Sequence, residues 1–158
     1  MSETTEKAFQ DIKIGDNVFF DIELTPDKVK RFAELTGDFN PLHMDEGFAR
    51  NSQFQQRITH GMFLASYFST LVGMYLPGKN ALYLGQELDF STPVPVRNQK
   101  LRISGTVINK TDSTRTITIK TEIHDESNKL VVSGKGRVMI MEHFREEDLA
   151  VENTGLDL

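Results

Sequence analysis

Thr59-His-Gly-Met-Phe-Leu-Ala-Ser-Tyr-Phe-Ser-Thr-Leu-Val-Gly-Met-Tyr-Leu-Pro-Gly78 is the stretch from which the architecture is read. Its apolar residues, from Met62 through Phe63, Leu64, Phe68, Leu71 and Val72 to Leu76, fall on every side of a helix. A helix with no polar face belongs in a core. Thr59 has the chemistry of an N-cap, and Pro77-Gly78 stops the helix. Ser66, Ser69 and Thr70 interrupt the run, which falls short of the roughly 20 residues a membrane span requires. The expectation is therefore a buried central helix of a soluble domain.

Outward from this helix the period of the sequence changes. Downstream, Leu101, Ile103 and Val107 share one parity and Ile117, Ile119 and Ile123 another, with Lys100, Arg102, Thr118, Lys120 and Glu122 opposite them. This is the pattern of strands with one wet face. Turn-rich segments at 109–113 and 125–129 join neighbouring strands by short connections, which suits an antiparallel meander. Upstream, an extended segment near Asn17 to Glu23 precedes Thr25-Pro26, an N-cap with proline at the first helical position. Val29, Phe32, Ala33 and Leu35 give that helix its apolar face and Gly37 ends it. Asp45 is placed to cap a short helix through Phe48 and Ala49, and 53–57 reads as loop. Helices first and strands after predict an α+β domain whose sheet wraps the central helix.

The whole chain bounds the function. At 158 residues it fits one domain, divided here into a flexible segment over 1–9, the domain over 10–141 and an acidic tail over 142–158. With no cysteine, disulfides, thiolate metal sites and a cysteine nucleophile are excluded, and a cytoplasmic location is expected. The first nine residues lack the apolar core of a secretory signal. A net charge of −5 offers no encouragement to nucleic acid.

The chemistry concentrates in Thr36-Gly-Asp-Phe-Asn-Pro-Leu-His-Met-Asp45 and in Thr59-His-Gly61. Asp38 and His43 flank an Asn-Pro step that disfavours helix at Asn40, so both side chains are expected on an extended, turn-like segment. A carboxylate and an imidazole that share one water exchange protons near neutral pH. Free N–H groups at the start of the Thr59 helix, with Gly61 allowing close approach, suit a carbonyl oxygen on which negative charge develops. Each residue also has a plain reading: Asp38 as a turn residue, His43 as a structural histidine, Gly61 as a packing glycine. Ser69, eight residues beyond Gly61, is placed either to bond the Asp38 carboxylate or its own helix backbone. His60 is assigned a structural role; His124 and His143 lie in a turn and in the tail. No metal-ligand spacing, G-x-S-x-G elbow or complete dinucleotide loop is present, so no metal or cofactor is expected.

The run from Phe32 to Asp45, continued by Ile58-Thr-His-Gly-Met62 and by Pro77-Gly-Lys-Asn-Ala-Leu-Tyr-Leu-Gly-Gln86, resembles the MaoC-like (R)-specific enoyl-CoA hydratases, also called hydratase 2. The similarity extends over about residues 10–141, and it points to the short single-domain bacterial branch. The resemblance implies a hot-dog fold, an antiparallel sheet around a long helix, and a homodimer whose sheets join edge to edge. It implies reversible hydration of trans-2-enoyl-CoA to (R)-3-hydroxyacyl-CoA without a cofactor, in fatty-acid and polyhydroxyalkanoate metabolism. On the matching positions it makes Asp38 and His43 the catalytic dyad and Gly61 the oxyanion donor, with Ser69 and Asn40 in support. Glu46-Gly47 stands where many relatives have proline.

Two alternatives remain beside this reading: a dehydratase acting on 3-hydroxyacyl groups of an acyl carrier protein, and a non-catalytic domain that binds acyl thioesters. Arg50, Arg57, Lys79, Arg97 and Arg102 are available either to an acidic carrier or to CoA phosphates. Phe63, Tyr67, Leu82 and Tyr83 are candidates to close the far end of an acyl tunnel.

Overall fold

The computed structural model describes residues 3–141, and the tail expected over 142–158 lies outside them. Alternating burial along β1 (Asn17–Leu24), β2 (Ala81–Phe90), β3 (Gln99–Thr111), β4 (Thr116–Asp125) and β5 (Leu130–Ile140) builds one antiparallel sheet in the order β1-β3-β4-β5-β2. Leu101, Ile103, Val107, Ile117, Ile119 and Ile123 are buried, while Lys100, Arg102 and Lys120 are exposed on the outer face. The expected wet face is present.

Against the apolar face lies the central helix, here named α4 after three shorter ones: α1 (Pro26–Thr36), α2 (Pro41–Met44), α3 (Glu46–Arg50) and α4 (Gly61–Thr70). α4 runs on through Leu71–Tyr75 in the wider π-helical geometry. Phe63, Leu64, Phe68, Leu71, Val72 and Leu76 are buried from this element alone. At about 1.5–3 kcal/mol for each large apolar side chain, they are a main part of the core that holds the helix to its neighbours. Leu71 reaches the sheet at Gly105, where an added Cβ would lie 2.6 Å from a Leu71 methyl. The glycine is a close-approach position. Met62, Ser66 and Ser69 face outward, so the helix is buried along a stripe rather than all round as expected.

The cap signals of α1 are realised: Thr25 Oγ1 accepts from the Lys28 amide, Pro26 opens the helix, and Gly37 closes it at φ 78°. Residues 4–9 depart from the loose segment expected. The Thr5 amide donates to the Met74 carbonyl at 3.0 Å, that of Lys7 to Pro77 at 3.2 Å, and that of Lys79 returns to Thr5 at 2.9 Å. Composition made this segment look unstructured because backbone bonds leave no trace in it.

Candidate active site

The segment 36–61 holds every residue assigned a catalytic or supporting role above except Ser69. Its geometry follows from alternating caps. Gly37 ends α1, Asp38 follows at once, and Asn40 caps α2 by accepting from the Leu42 amide at 2.9 Å. His43 therefore stands on a short helix, not on the extended segment expected. The restriction imposed by Pro41 falls on Asn40 alone, and proline itself is at home in the first helical turn. Asp45 in turn caps α3, accepting from the Phe48 amide at 2.7 Å, so Glu46-Gly47 starts that helix without a proline.

These caps aim the side chains. The Asp38 carboxylate is about half exposed, and its Oδ1 accepts from the Asn40 amide at 3.2 Å. His43 Nδ1 lies 2.7 Å from the Ile58 carbonyl. A carbonyl only accepts, so Nδ1 bears the proton and Nε2 keeps its lone pair for other work. One carboxylate oxygen of Asp38 and one ring nitrogen from each of His43 and His60 lie within 4.8 Å of one another. A single water spans such distances.

His60 is the member that sequence reasoning left in a bland role. It is 2% exposed and its Nε2 donates to the Asp38 carbonyl at 3.0 Å. Burial holds it below the usual imidazole range, and the bond to Asp38 offsets this only in part. Carboxylate plus two imidazoles is also a donor set for a metal ion. The proton that Nε2 of His60 gives to the Asp38 carbonyl occupies that lone pair, so this nitrogen is a hydrogen-bond donor as arranged.

His60, not Thr59, occupies the N-cap position of α4, and no side chain caps the helix. Thr59 is diverted because its amide donates to the Val94 carbonyl at 2.7 Å, and its buried hydroxyl has no partner among the described residues. The amides of Gly61, Met62 and Phe63 have no hydrogen-bond partner among the described residues. They face the positive end of the helix, where anionic oxygen is favoured. Gly61 is packed by Phe90, whose ring would lie 2.8 Å from an added Cβ.

Beside this helix start opens a cavity of about 390 Å³, lined by His43, Thr59, Gly61 and Met62 on one side and by Phe90, Val94, Val131 and Val132 on the other. The latter residues come from β2, β5 and the loop after β2, distant in sequence and without a local signal that could have marked them. The expected tunnel residues lie elsewhere. Phe63 and Tyr67 line a separate groove with Phe32 and Leu35; Tyr83 donates to Gln86 Oε1; Leu82 is exposed on the β2 edge. Burial pushes the Tyr83 phenol up to about 12.

Ser69 does not reach Asp38. It is exposed, and it lies eight residues along α4 from Gly61, about 12 Å at the helical rise. Sharing a helix face did not bring it to the same end. Of the basic residues considered, Arg50 and Arg57 pair with Glu46, Lys79 with Glu6 and Arg102 with Asp21, while Arg97 is exposed.

Residues 10–128 match the MaoC like domain family. The chain belongs to that family. This MaoC-like protein is 37% identical over 132 residues to the (R)-specific enoyl-CoA hydratase of Aeromonas caviae, covering 83% of this chain and 97% of that one. It superposes on the R-hydratase of Pseudomonas aeruginosa with a TM-score of 0.82 at 28% identity, covering 90% of each chain. It is also 30% identical over 122 residues to the mitochondrial 3-hydroxyacyl-[acyl-carrier-protein] dehydratase of Arabidopsis thaliana, covering 77% of this chain and 72% of the relative. The five-stranded sheet around α4 is the hot-dog fold of these hydratases.

Proposed function

We propose that this protein is an (R)-specific enoyl-CoA hydratase, adding water reversibly to a trans-2-enoyl-CoA to give the (R)-3-hydroxyacyl-CoA. The observation that carries the reading is the meeting of an acid–base pair, an uncapped helix start and an apolar cavity at one place. The acyl group enters the cavity between α4 and β5. Its thioester oxygen takes the Gly61 N–H, which stabilises the enolate as charge moves onto that oxygen, a contribution of about 10²–10³ in rate for one such donor.

Water sits between Asp38 and His43. His43, fixed by its bond to Ile58, receives or returns a proton at Nε2, and Asp38 does the same at its carboxylate. One group removes a proton as the water oxygen attacks the β-carbon, and a proton is delivered to the α-carbon from the same face. Such transfers supply about 10²–10⁴ in rate. Which group holds the proton at each instant is a property of the pair. The addition is redox-neutral and asks for no cofactor.

The enzyme is proposed to work in the cytoplasm as a homodimer. β2 is a sheet edge with Leu82, Leu84 and Phe90 exposed along it, a surface that edge-to-edge pairing would cover. Among the described residues no helix is long and apolar enough to cross a membrane.

The test is the ultraviolet absorbance of crotonyl-CoA after addition of purified protein, with chiral analysis of the product. Loss of the conjugated enoyl signal with formation of the (R)-alcohol is expected. A signal that persists with crotonyl-CoA and longer enoyl-CoAs, but is lost with a crotonyl acyl carrier protein, would replace CoA by the carrier.

A further inference from the structure

His60 transfers no proton in the reaction above, yet three parts of the site meet on its ring. Nε2 donates to the Asp38 carbonyl at 3.0 Å and lies 3.9 Å from Asp38 Oδ2. One side of the ring lies against the His43 imidazole, centroids 3.9 Å apart with 36° between the planes. Phe32 of α1 contacts it at 5.1 Å. Its own backbone begins α4 beside Gly61. Asp38, His43 and the Gly61 amide have no other single side chain in common among the described contacts.

We infer that His60 is a positioning residue for the Asp38–His43 pair, a neutral imidazole clamp that holds the Asp38 turn and the His43 ring in register with the start of α4. Asp38 is half exposed and sits on a turn between two helices. The Asn40 amide holds its carboxylate, and the bond from His60 holds its backbone. Without the latter, the Asp38 bonds among the described residues run to residues that move with the turn: its amide bonds Thr36 Oγ1 and its carboxylate bonds Asn40. His43 is likewise fixed in its plane by Ile58 but gains its lateral stop from the His60 ring.

The clamp works as a neutral ring. Nδ1 of His60 is buried with no hydrogen-bond partner among the described residues, so a second proton there would have none of them to donate to. The titratable groups that face the ring are Asp38, from the turn after α1, and His43, from α2. A cation on His60 would compete with His43 for the same carboxylate. A mere filler of the core would need only the ring's shape; the clamp needs an N–H at the position of Nε2.

His60→Phe keeps the shape and removes that N–H, and His60→Gln restores a neutral donor there. The inference rests on the hydratase reading for its kinetic arm only. With crotonyl-CoA, His60→Phe is expected to lower kcat by about 10- to 100-fold with KM little changed, the scale of a small misplacement of reacting groups, and His60→Gln to recover most of the loss. Amide hydrogen exchange supplies the second arm: the Asn40 amide should exchange about tenfold faster in His60→Phe while β4 amides keep their protection. Wild-type kcat and exchange in His60→Phe would overturn the clamp. So would equal impairment of both variants together with a fall in melting temperature, the mark of a filler. If the wild type itself leaves crotonyl-CoA intact, the hydratase reading falls and the exchange arm alone decides: faster Asn40 exchange only in His60→Phe upholds the clamp, and unchanged exchange removes it.

Discussion

The two ends of the central helix are built on opposite terms. At its C-terminal end the carbonyls are taken up: Leu71 accepts from Leu76 at 2.9 Å, Val72 from Gly78 at 3.0 Å, Met74 from the Thr5 amide at 3.0 Å, and Tyr75 lies 2.7 Å from the Thr5 hydroxyl, whose one proton it shares with Met74. Leu71 is pressed against Gly105, and Tyr75 is stacked on Phe20 with centroids 4.9 Å apart. At its N-terminal end, among the described residues, no side chain caps the helix, and Thr59 Oγ1 and His60 Nδ1 are buried without partners. An unmade hydrogen bond in a protein interior costs about 1–3 kcal/mol. The closed end holds the fold, and the open end leaves its amide donors unpartnered among the described residues.

The open end should be hurt most by His43→Gln. Turnover of crotonyl-CoA should fall by about 10²–10⁴-fold, the scale of lost acid–base catalysis, with the melting temperature nearly unchanged. Gly61→Val comes next. The new side chain meets Phe90 and fills the approach to the helix amides, and turnover should drop by about 10²–10³-fold. Because the new contact is with the ring of half-exposed Phe90 rather than with backbone, chemical denaturation should register only a small loss. Leu71→Ala reverses the pattern. The closed end should lose about 2–5 kcal/mol in denaturant unfolding, since Gly105 has no side chain to refill the space, while turnover per folded molecule is retained. An open end that broke the fold, or a closed end that broke only turnover, would dissolve the contrast.

The smallest expected effect is on the pH dependence of stability. His60 resists its proton in the folded state, whereas the unfolded chain binds it at the ordinary value near 6.5. More protons bound by the unfolded state means that stability is complete above that value and declines as pH falls through it. In denaturant titrations His60→Gln should show a shallower decline over this acidic range than the wild type.

How far the sequence could be read follows the same division between local and distant causes. The caps at Thr25 and Asp45, the stop at Gly37 and the parity of β3 and β4 are local, and they appear in the structure where the residues put them. β2 was harder because a bulge between Tyr83 and Gly85 shifts its register, so that Tyr83 and Gln86, three residues apart, are both partly buried. α2 is too short for a helical period to register. Thr59 has the chemistry of a cap, but pairing with Val94 takes it elsewhere. Asp38, His43 and Gly61 were legible as one cluster because they lie close in the chain. His60 and Phe90 acquire their places only when α1, α4 and β2 come together, and the outward turn of Ser69 depends on distance along a helix rather than on its face.

The most direct test of the account is to measure crotonyl-CoA hydration and thermal melting for Asp38→Asn beside the wild type. The substitution keeps the size of a half-exposed side chain and removes its charge. Turnover should be lower by about 10²–10⁴-fold with an unchanged melting curve, as expected of a group that moves protons and carries little of the fold. Turnover retained in Asp38→Asn, or lost only in step with unfolding, would contradict it.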